Sequence, residues 1–432
     1  MPASNIVFIH SHDSGRYIQP YGAPAVTPRL QRFAEDAVVF RKAFATSPAC
    51  SPSRASLLTG RWSHSAGMLG LSHLGFSMAN YEQHLAPQMS DRGVVSVLAG
   101  FQHVSEDVAA IGYDQVLTPP DLSDRNKSSD LIADEAVNFL RGGPRPARFF
   151  LDVGFIDTHR PYPKASTEDD PRWLAPPGAI PDLPEAREDM SGHLGSLRRF
   201  DRAVGRVLDA LDDVGIADNT VVIVTTDHGL AWPGMKLTLN DSGIGVMLMV
   251  RGAEPWRGGR VIEAMVSQVD LYPTIFGLLG FEVPGHVQGV SLVPLVAGDE
   301  ASARSEVFAE TNFHLSYEPQ RCVRTDRWKY VRRYLKRESS IVAHTDPGPT
   351  RTALEDLGYF DLSYAEEQLF DTLLDPLEMN NLVADPARLD VLVEMRERLD
   401  SWQVTTGDPI LRGPVQAPAG AIVQDAESRD PA

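Results

Sequence analysis

The sequence predicts an α/β fold: a large mixed, mostly parallel sheet sandwiched by helices, plus a small C-terminal antiparallel sheet with one helix. Three observations carry this. Up to about residue 300, short apolar runs alternate with amphipathic stretches, the pattern of a largely parallel sheet. Beyond that point strand-like runs follow one another without intervening helices. Most of the polar clusters with chemical potential fall just after strand-like runs, where open α/β sheets bind ligands.

The elements follow in order. Residues 5–10 (Asn-Ile-Val-Phe-Ile-His) read as a buried strand. Thr27-Pro28 opens a helix through about Ala37, because Thr suits an N-cap and Pro the first helical position. Residues 52–59 read as a short helix closed by Gly60. Strands are expected near 94–99, 148–155, 220–226 and 245–250. A long amphipathic helix is expected over about 191–213, with Leu194, Leu197, Phe200, Val204, Val207 and Leu211 at helical spacing. A further helix is expected at about 269–279. Segments 305–310, 321–333 and 367–371 read as strands, and about 386–402 as the last helix. Residues 335–360 read as a surface insertion, and 413–432, rich in Ala, Pro, Asp and Gln, as a disordered tail. The expected division is therefore 1–316 for a larger α/β domain, 317–412 for a smaller α+β domain, and 413–432 for the tail.

The chain has 432 residues, 43% hydrophobic and 23% charged, which suits one large domain plus a smaller one. Its formal net charge of −18 opposes nucleic-acid binding, where basic patches supply most of the affinity. It does not oppose a small anionic substrate, since a local cluster of cations can outweigh the global field. No apolar run is long enough to span a bilayer, and Met1–Ser4 leads straight into the first strand without a leader pattern. The expectation is a cytoplasmic protein with no membrane or nucleic-acid partner; the oligomeric state is left open. The two cysteines, Cys50 and Cys322, make no disulfide framework. Cys322 reads as a small buried hydrophobe.

Cys50 stands in Cys50-Ser51-Pro52-Ser53-Arg54-Ala55-Ser56-Leu57-Leu58-Thr59-Gly60. This run resembles the signature of type I sulfatases, of the alkaline-phosphatase-like superfamily, in which the cysteine is converted to formylglycine by a maturase. An aldehyde hydrates to a geminal diol; one hydroxyl can attack sulfur, and loss of the other proton can expel sulfate. The resemblance implies a hydrolase that releases inorganic sulfate from a sulfuric ester or sulfamate with a divalent metal. Arg54 would hold the diol or the sulfate.

Further segments fit the same family. In His10-Ser11-His12-Asp13, Asp13 matches a metal ligand, and His12 stands where the family usually has a first Asp. In Asp227-His228-Gly229, Asp227 matches a ligand and His228 replaces Asn. Cys50, as formylglycine, would complete the metal set. Calcium, implied by the resemblance, prefers oxygen ligands; imidazoles at 12 and 228 admit manganese, zinc or iron, unless His12 faces away. Phe155-Ile156-Asp157-Thr158-His159-Arg160-Pro161 is closest to the heparan N-sulfatase (sulfamidase) branch. It implies that His159 contacts sulfate or protonates the leaving group, with Arg160 at the substrate. In Gly100-Phe101-Gln102-His103, His103 matches the base that acts on the second diol hydroxyl, and Phe101 replaces a lysine. Lys236 matches a sulfate-binding lysine. The expected substrate is a small sulfated molecule, in particular an N- or O-sulfated saccharide. Two rivals remain: a phosphonate or phosphate ester hydrolase of the same superfamily, favoured by His228, and a non-catalytic binding homologue, motivated by Phe101 and His12.

Overall fold

A computed structural model describes residues 3–118, 122, 124–362 and 365–429. Its main sheet contains nine strands among the described residues: β1 Asn5–Ser11, β2 Val38–Phe44, β3 Val95–Gly100, β4 Gln115–Leu117, β5 Phe149–Gly154, β6 Thr220–Thr226, β7 Gly245–Val246, β8 Leu248–Arg251 and β9 Arg260–Ser267. The order is β4-β3-β5-β1-β6-β8-β2-β7, with β9 paired to β2. From β4 to β6 every neighbour is parallel; β8 then pairs antiparallel with both β6 and β2.

Side-chain alternation along β1 explains the layers. Val7 and Ile9 pack with one set of helices, including Leu197, Phe200 and Val204 of the helix Pro184–Asp213. Ile6 and Phe8 pack on the opposite face against Leu57 and Leu58 of the helix Cys50–Thr59 and Ile275 and Phe276 of the helix Leu271–Leu279. Apolar side chains on both faces of one strand are what a sheet covered twice requires.

The second sheet is antiparallel: β10 Glu306–Phe313, β11 Tyr317–Thr325, β12 Trp328–Arg333 and β13 Glu367–Asp371. The helix Leu389–Thr406 covers one face through Leu392, Met395, Leu399 and Trp402. The other face joins the main sheet through Val307, Ala309, Cys322 and Val331, packed with Phe44 and Met265. Mostly parallel sheet, small antiparallel sheet and single covering helix are the predicted fold class.

Five expectations need correction. The helix predicted over 52–59 begins at Cys50, because Pro52 still lies in the first turn, where a missing N–H costs nothing. The long helix starts at Pro184 rather than near 191; its first turns are polar and carry no apolar stripe to announce them. Segment 321–333 is two strands, β11 and β12, parted by a turn at Asp326-Arg327. A division after residue 316 would cut the β10–β11 hairpin, so we place the start of the smaller unit at β10.

The last correction concerns the two segments read as peripheral. Ile341, Ala343, Leu354 and Phe360 of the 335–360 stretch are buried, and its helix Pro349–Asp356 packs on Pro184–Asp213. Residues 413–429 lie against the body without regular structure: Val415 is buried, and the amides of Ile422 and Gln424 donate to the carbonyls of Leu74 and Leu315. Isolated apolar residues and borrowed carbonyls hold an extended segment that composition alone marks as tail-like. The expectations for residues 1–2 and 430–432 lie outside the described residues. No helix among the described residues is long and apolar enough to cross a membrane.

Candidate active site

Four adjacent parallel strands, β3, β5, β1 and β6, end on one edge of the sheet, and each is followed by a candidate residue. Ser11 and Thr226 are in register, so the chain beyond β1 and β6 sets Asp13 and Asp227 side by side. The Asp13 backbone N–H donates to Asp227 Oδ1 at 2.9 Å. Asp13 has φ 55° and His103 φ 61°, a left-handed conformation uncommon for non-glycine residues and frequent at functional sites. Beyond β5, the Thr158 N–H donates to the His12 carbonyl at 2.8 Å, which ties the His159 loop to the β1 loop.

Cys50 is the first residue of its helix, and every residue of that helix is buried. Gly60 ends it at φ 66°, where a Cβ would meet Tyr272 at 2.9 Å, so a side chain there is barred twice. The Ser53 hydroxyl donates to the Asp227 carbonyl at 2.6 Å. These contacts seat the helix N-terminus against the ends of β1 and β6.

Donor atoms of His12, Asp13, Cys50, Asp227 and His228 all lie within 4.8 Å of one another, and all five residues are buried. His12 Nδ1 is 2.9 Å from Asp13 Oδ1 and 3.1 Å from Asp227 Oδ2, so this ring turns into the cluster. His228 Nε2 is 3.2 Å from Asp13 Oδ1 and 3.3 Å from Cys50 Sγ. Two buried carboxylates side by side need positive charge between them. Burial lowers the His12 pKa to about 3, so that ring is neutral, the form that ligates metal. Two carboxylates, two imidazoles and residue 50 thus form a set that fits a divalent cation. Burial pushes the Cys50 thiol well above its usual range, with Lys236 opposing; an unmodified thiol here is a poor nucleophile.

Cations surround this cluster. Arg54, 1% exposed, gives Nη2 to Asp227 Oδ2 and to the Ser11 carbonyl, both at 3.0 Å. Its Nη1 lies 2.6 Å from His10 Nδ1. Lys236 Nζ is 3.1 Å from Asp13 Oδ2 and 2.9 Å from Asp346 Oδ2. Burial works against the Lys236 ammonium, but Asp13 and Asp346 more than offset it and hold its pKa well above normal. Burial likewise disfavours the charged Asp346, yet Lys236 and His159 hold its carboxyl below the usual range.

His159 is the open side of the site: its side chain is 27% exposed and its Nε2 lies 3.8 Å from Asp13 Oδ2. Its Nδ1 is 2.6 Å from the Arg160 carbonyl, a contact that fixes Nδ1 as the protonated nitrogen. Burial holds His103 well below the usual histidine pKa, so it is neutral. Phe101 packs its ring 5.5 Å from His12 and 5.0 Å from His103.

Arg160 is placed differently from expectation. Its guanidinium grips Asp189 at 2.7 and 2.6 Å, its Nε donates to the Ala231 carbonyl, and Tyr162 lies beneath it. A bidentate buried pair leaves it no free fork for a substrate, so its part is structural. Sequence reasoning also missed several residues around the site. His10 joins Arg54 to Asp152, with Nε2 2.9 Å from Asp152 Oδ1, and Tyr113 donates to Asp152 at 2.6 Å. His73 stacks on His103 with ring centroids 5.2 Å apart. Asp346 arrives from the 335–360 segment. Histidine inside an otherwise apolar strand was the available signal for His10; the others carry no local signal.

A mostly parallel sheet with carboxylates and imidazoles gathered beyond adjacent strands defines an α/β protein with a candidate metal site at the strand ends. The family follows from sequence. The "Sulfatase" family model matches residues 4–281, and "N-sulphoglucosamine sulphohydrolase, C-terminal" matches residues 232–364. The N-sulphoglucosamine sulphohydrolase of Homo sapiens is 30% identical over a 466-residue alignment, covering 95% of this chain and 92% of that one. A structure solved in complex with its substrate D-glucosamine-2-N,6-O-disulfate superposes with a TM-score of 0.75 at 18% identity, covering 95% of this chain and 99% of that one. A phosphonate monoester hydrolase from Silicibacter pomeroyi gives 0.72 at 19%, covering 98% and 100%; these structural likenesses establish the fold. The chain belongs to the sulfatase family and is a hydrolase of sulfuric esters or sulfamates.

Proposed function

We propose that this protein removes sulfate from a sulfated saccharide through formylglycine made from Cys50 by a maturase. The observation that carries this reading is the convergence of residue 50 with the donors of His12, Asp13, Asp227 and His228 within 4.8 Å. Matches to the N-sulphoglucosamine sulphohydrolase C-terminal model and to the human relative support an amino sugar as substrate.

Asp13, Asp227, His12 and His228 would hold the metal. When bound, it supplies a Lewis acid that polarises sulfate oxygens and favours ionisation of the residue-50 diol. As the hydrated formylglycine, residue 50 would supply one hydroxyl to attack sulfur and a second whose loss of a proton would expel sulfate. His103, neutral and backed by His73, takes that proton. His159, as the imidazolium whose Nδ1–H is held by the Arg160 carbonyl, supplies the Nε2 proton to the departing atom, with Lys236 offsetting charge on sulfate. Arg54 acts from behind, holding Asp227 in place while adding positive potential. Phe101 contributes none, so Lys236 and the metal carry that load.

The resemblance implies calcium, but two imidazoles among the donors suit manganese, zinc or iron better than an all-oxygen cation. Metal analysis of the purified protein should find one of these three in stoichiometric amount; calcium alone would reject this preference.

The first test is mass spectrometry of the peptide containing residue 50, from cells with an active maturase. Conversion lowers the mass by about 18 Da, as the thiol becomes an aldehyde able to form the nucleophilic diol. An unmodified Cys50, where a control sulfatase is converted, would reject the mechanism. The second reading, a phosphonate or phosphate ester hydrolase, rests on His228; competing kinetics on sulfate and phosphonate esters decide between them.

A further inference from the structure

The segment read from sequence as a surface insertion brings a carboxylate into a site built to hold an anion. Asp346 is outside the five-donor cluster. Its donor atom lies within 4.8 Å of those of Asp13 and His159, and its side chain is 19% exposed. Lys236 already fills the cation position between Asp13 and Asp346, at 3.1 and 2.9 Å, which leaves no place between them for a second metal. Lys236 pairs with Oδ2 of this carboxylate; a substrate lone pair brought against the carboxylate is still repelled, whereas a protonated group can donate to it.

The position is firmly built. Asp346 precedes Gly348, where a Cβ would strike the Arg160 guanidinium at 2.4 Å. Thr350 donates to Asp189 Oδ2 at 2.6 Å, so the Arg160–Asp189 pair is a foundation for this segment. Arg351 Nη1 donates to the Thr345 carbonyl at 3.1 Å. On the other side, a cavity of about 210 Å³ is lined by Lys236, His344 and Thr345.

We propose that Asp346 is a specificity-determining residue that faces the leaving atom and selects nitrogen over oxygen, so that the preferred substrate is a sulfamate. The inference rests on the hydrolase reading above. In R–NH–SO₃⁻ the bridging nitrogen carries a proton and can donate to the Asp346 carboxylate before reaction. In R–O–SO₃⁻ the bridging oxygen has only lone pairs and is repelled. During reaction the S–N bond breaks and its electron pair goes to nitrogen, which takes a proton from His159. A second proton from water gives R–NH₃⁺, so the balance is R–NH–SO₃⁻ + H₂O → R–NH₃⁺ + SO₄²⁻. The ammonium is stabilised by an adjacent carboxylate, whereas an alcohol product stays neutral and gains less.

The test compares glucosamine N-sulfate with glucose 2-sulfate, which differ in the bridging atom at one carbon, on metal-loaded, formylglycine-bearing enzyme. Wild type should favour the N-sulfate in kcat/KM. Asp346→Asn should lower turnover of the N-sulfate about 10- to 100-fold more than that of the O-sulfate, the range for one charge-assisted hydrogen bond. An equal fall on both substrates would overturn the proposal, because a residue that only positions Lys236 acts on both alike. Calorimetry with the products gives a readout independent of turnover: glucosamine should bind wild type more tightly than glucose, and Asp346→Asn should abolish the difference. If neither sulfate is hydrolysed but this Asp346-dependent preference persists, the assignment stands and the hydrolase reading falls. If both are hydrolysed and glucosamine binds no better than glucose, the assignment falls alone.

Discussion

Lys236 and Lys329 are each buried between two carboxylates, in surroundings that differ. Lys329 is fully enclosed, with Nζ 2.6 Å from Asp241 Oδ1 and 2.7 Å from Glu378 Oε1. Its strand, β12, belongs to the small sheet, while Asp241 follows the Lys236 loop and also pairs with Arg324. This clamp joins the two sheets. Lys236 sits between Asp13, a candidate metal ligand, and Asp346, which is partly open. Both lysines have raised pKa values; in each, burial opposes the charge and two carboxylates more than offset it. A perturbed lysine therefore does not by itself mark a site. Access and neighbours do: Lys236 lies near His159 and the metal donors, and Lys329 has only structural groups around it.

The comparison predicts opposite mutant phenotypes. Lys329→Met removes the cation that bridges Asp241 and Glu378 and leaves Asp241 with Arg324. Breaking a buried pair in this way costs about 3–5 kcal/mol, visible as a large fall in the urea midpoint, while kcat/KM of the folded fraction stays near wild type. A variant of wild-type stability but reduced activity would erase the distinction. Lys236→Met should do the reverse. Loss of one preorganised charge at a reacting sulfate lowers kcat/KM about 100- to 1000-fold, measured with 4-nitrophenyl sulfate. Its stability changes less in metal-loaded protein, because a metal would still neutralise Asp13 and Asp346 is partly exposed.

The two lysines also show what sequence could reveal. Strand ends were legible because buried strands are short continuous apolar runs, and parallel neighbours in register bring the residues after them together. Asp13 and Asp227 are thus recognisable as residues at strand ends, and as partners through the family resemblance, as Lys236 is through its motif. The partners that give each lysine its character were not legible. Asp346 lies in a turn-rich stretch whose composition resembles any exposed loop. Glu378 reaches Lys329 from beyond β13, on a backbone turn at φ 55°. Arg160 misled for the same reason: a motif places a residue along the chain, but Asp189, in the polar first turns of the long helix, decides where its guanidinium goes.

The comparison has a limiting case, a buried ionisable group with no hydrogen-bonded counter-charge among the described residues. His193 lies on the long helix between Tyr17 and Tyr162, with ring centroids 5.7 and 5.3 Å away. Neither ring nitrogen has a hydrogen-bond partner among the described residues. Burial, helped by Arg160, lowers its pKa from 6.5 to about 3, so it is neutral in the fold and protonated in the unfolded chain at mildly acid pH. The unfolded state then binds the extra proton, and stability falls as pH drops. The contribution is fully present above pH 6.5 and is lost progressively from there toward pH 3. The slope is at most about 1.4 kcal/mol per pH unit for one group. Replacing the ring by one of similar shape that cannot be protonated, His193→Phe, removes this share. Urea midpoints at pH 7.5 and pH 5.5 should therefore draw closer together in His193→Phe than in wild type, by the equivalent of about 1 kcal/mol. The Lys236 and Lys329 clamps, whose lysines titrate well above this window, leave the difference untouched. An unchanged gap between the two midpoints would mean that His193 finds a proton-tolerant environment in solution, and that an uncompensated buried ring is no weaker a point in this fold than a clamped lysine.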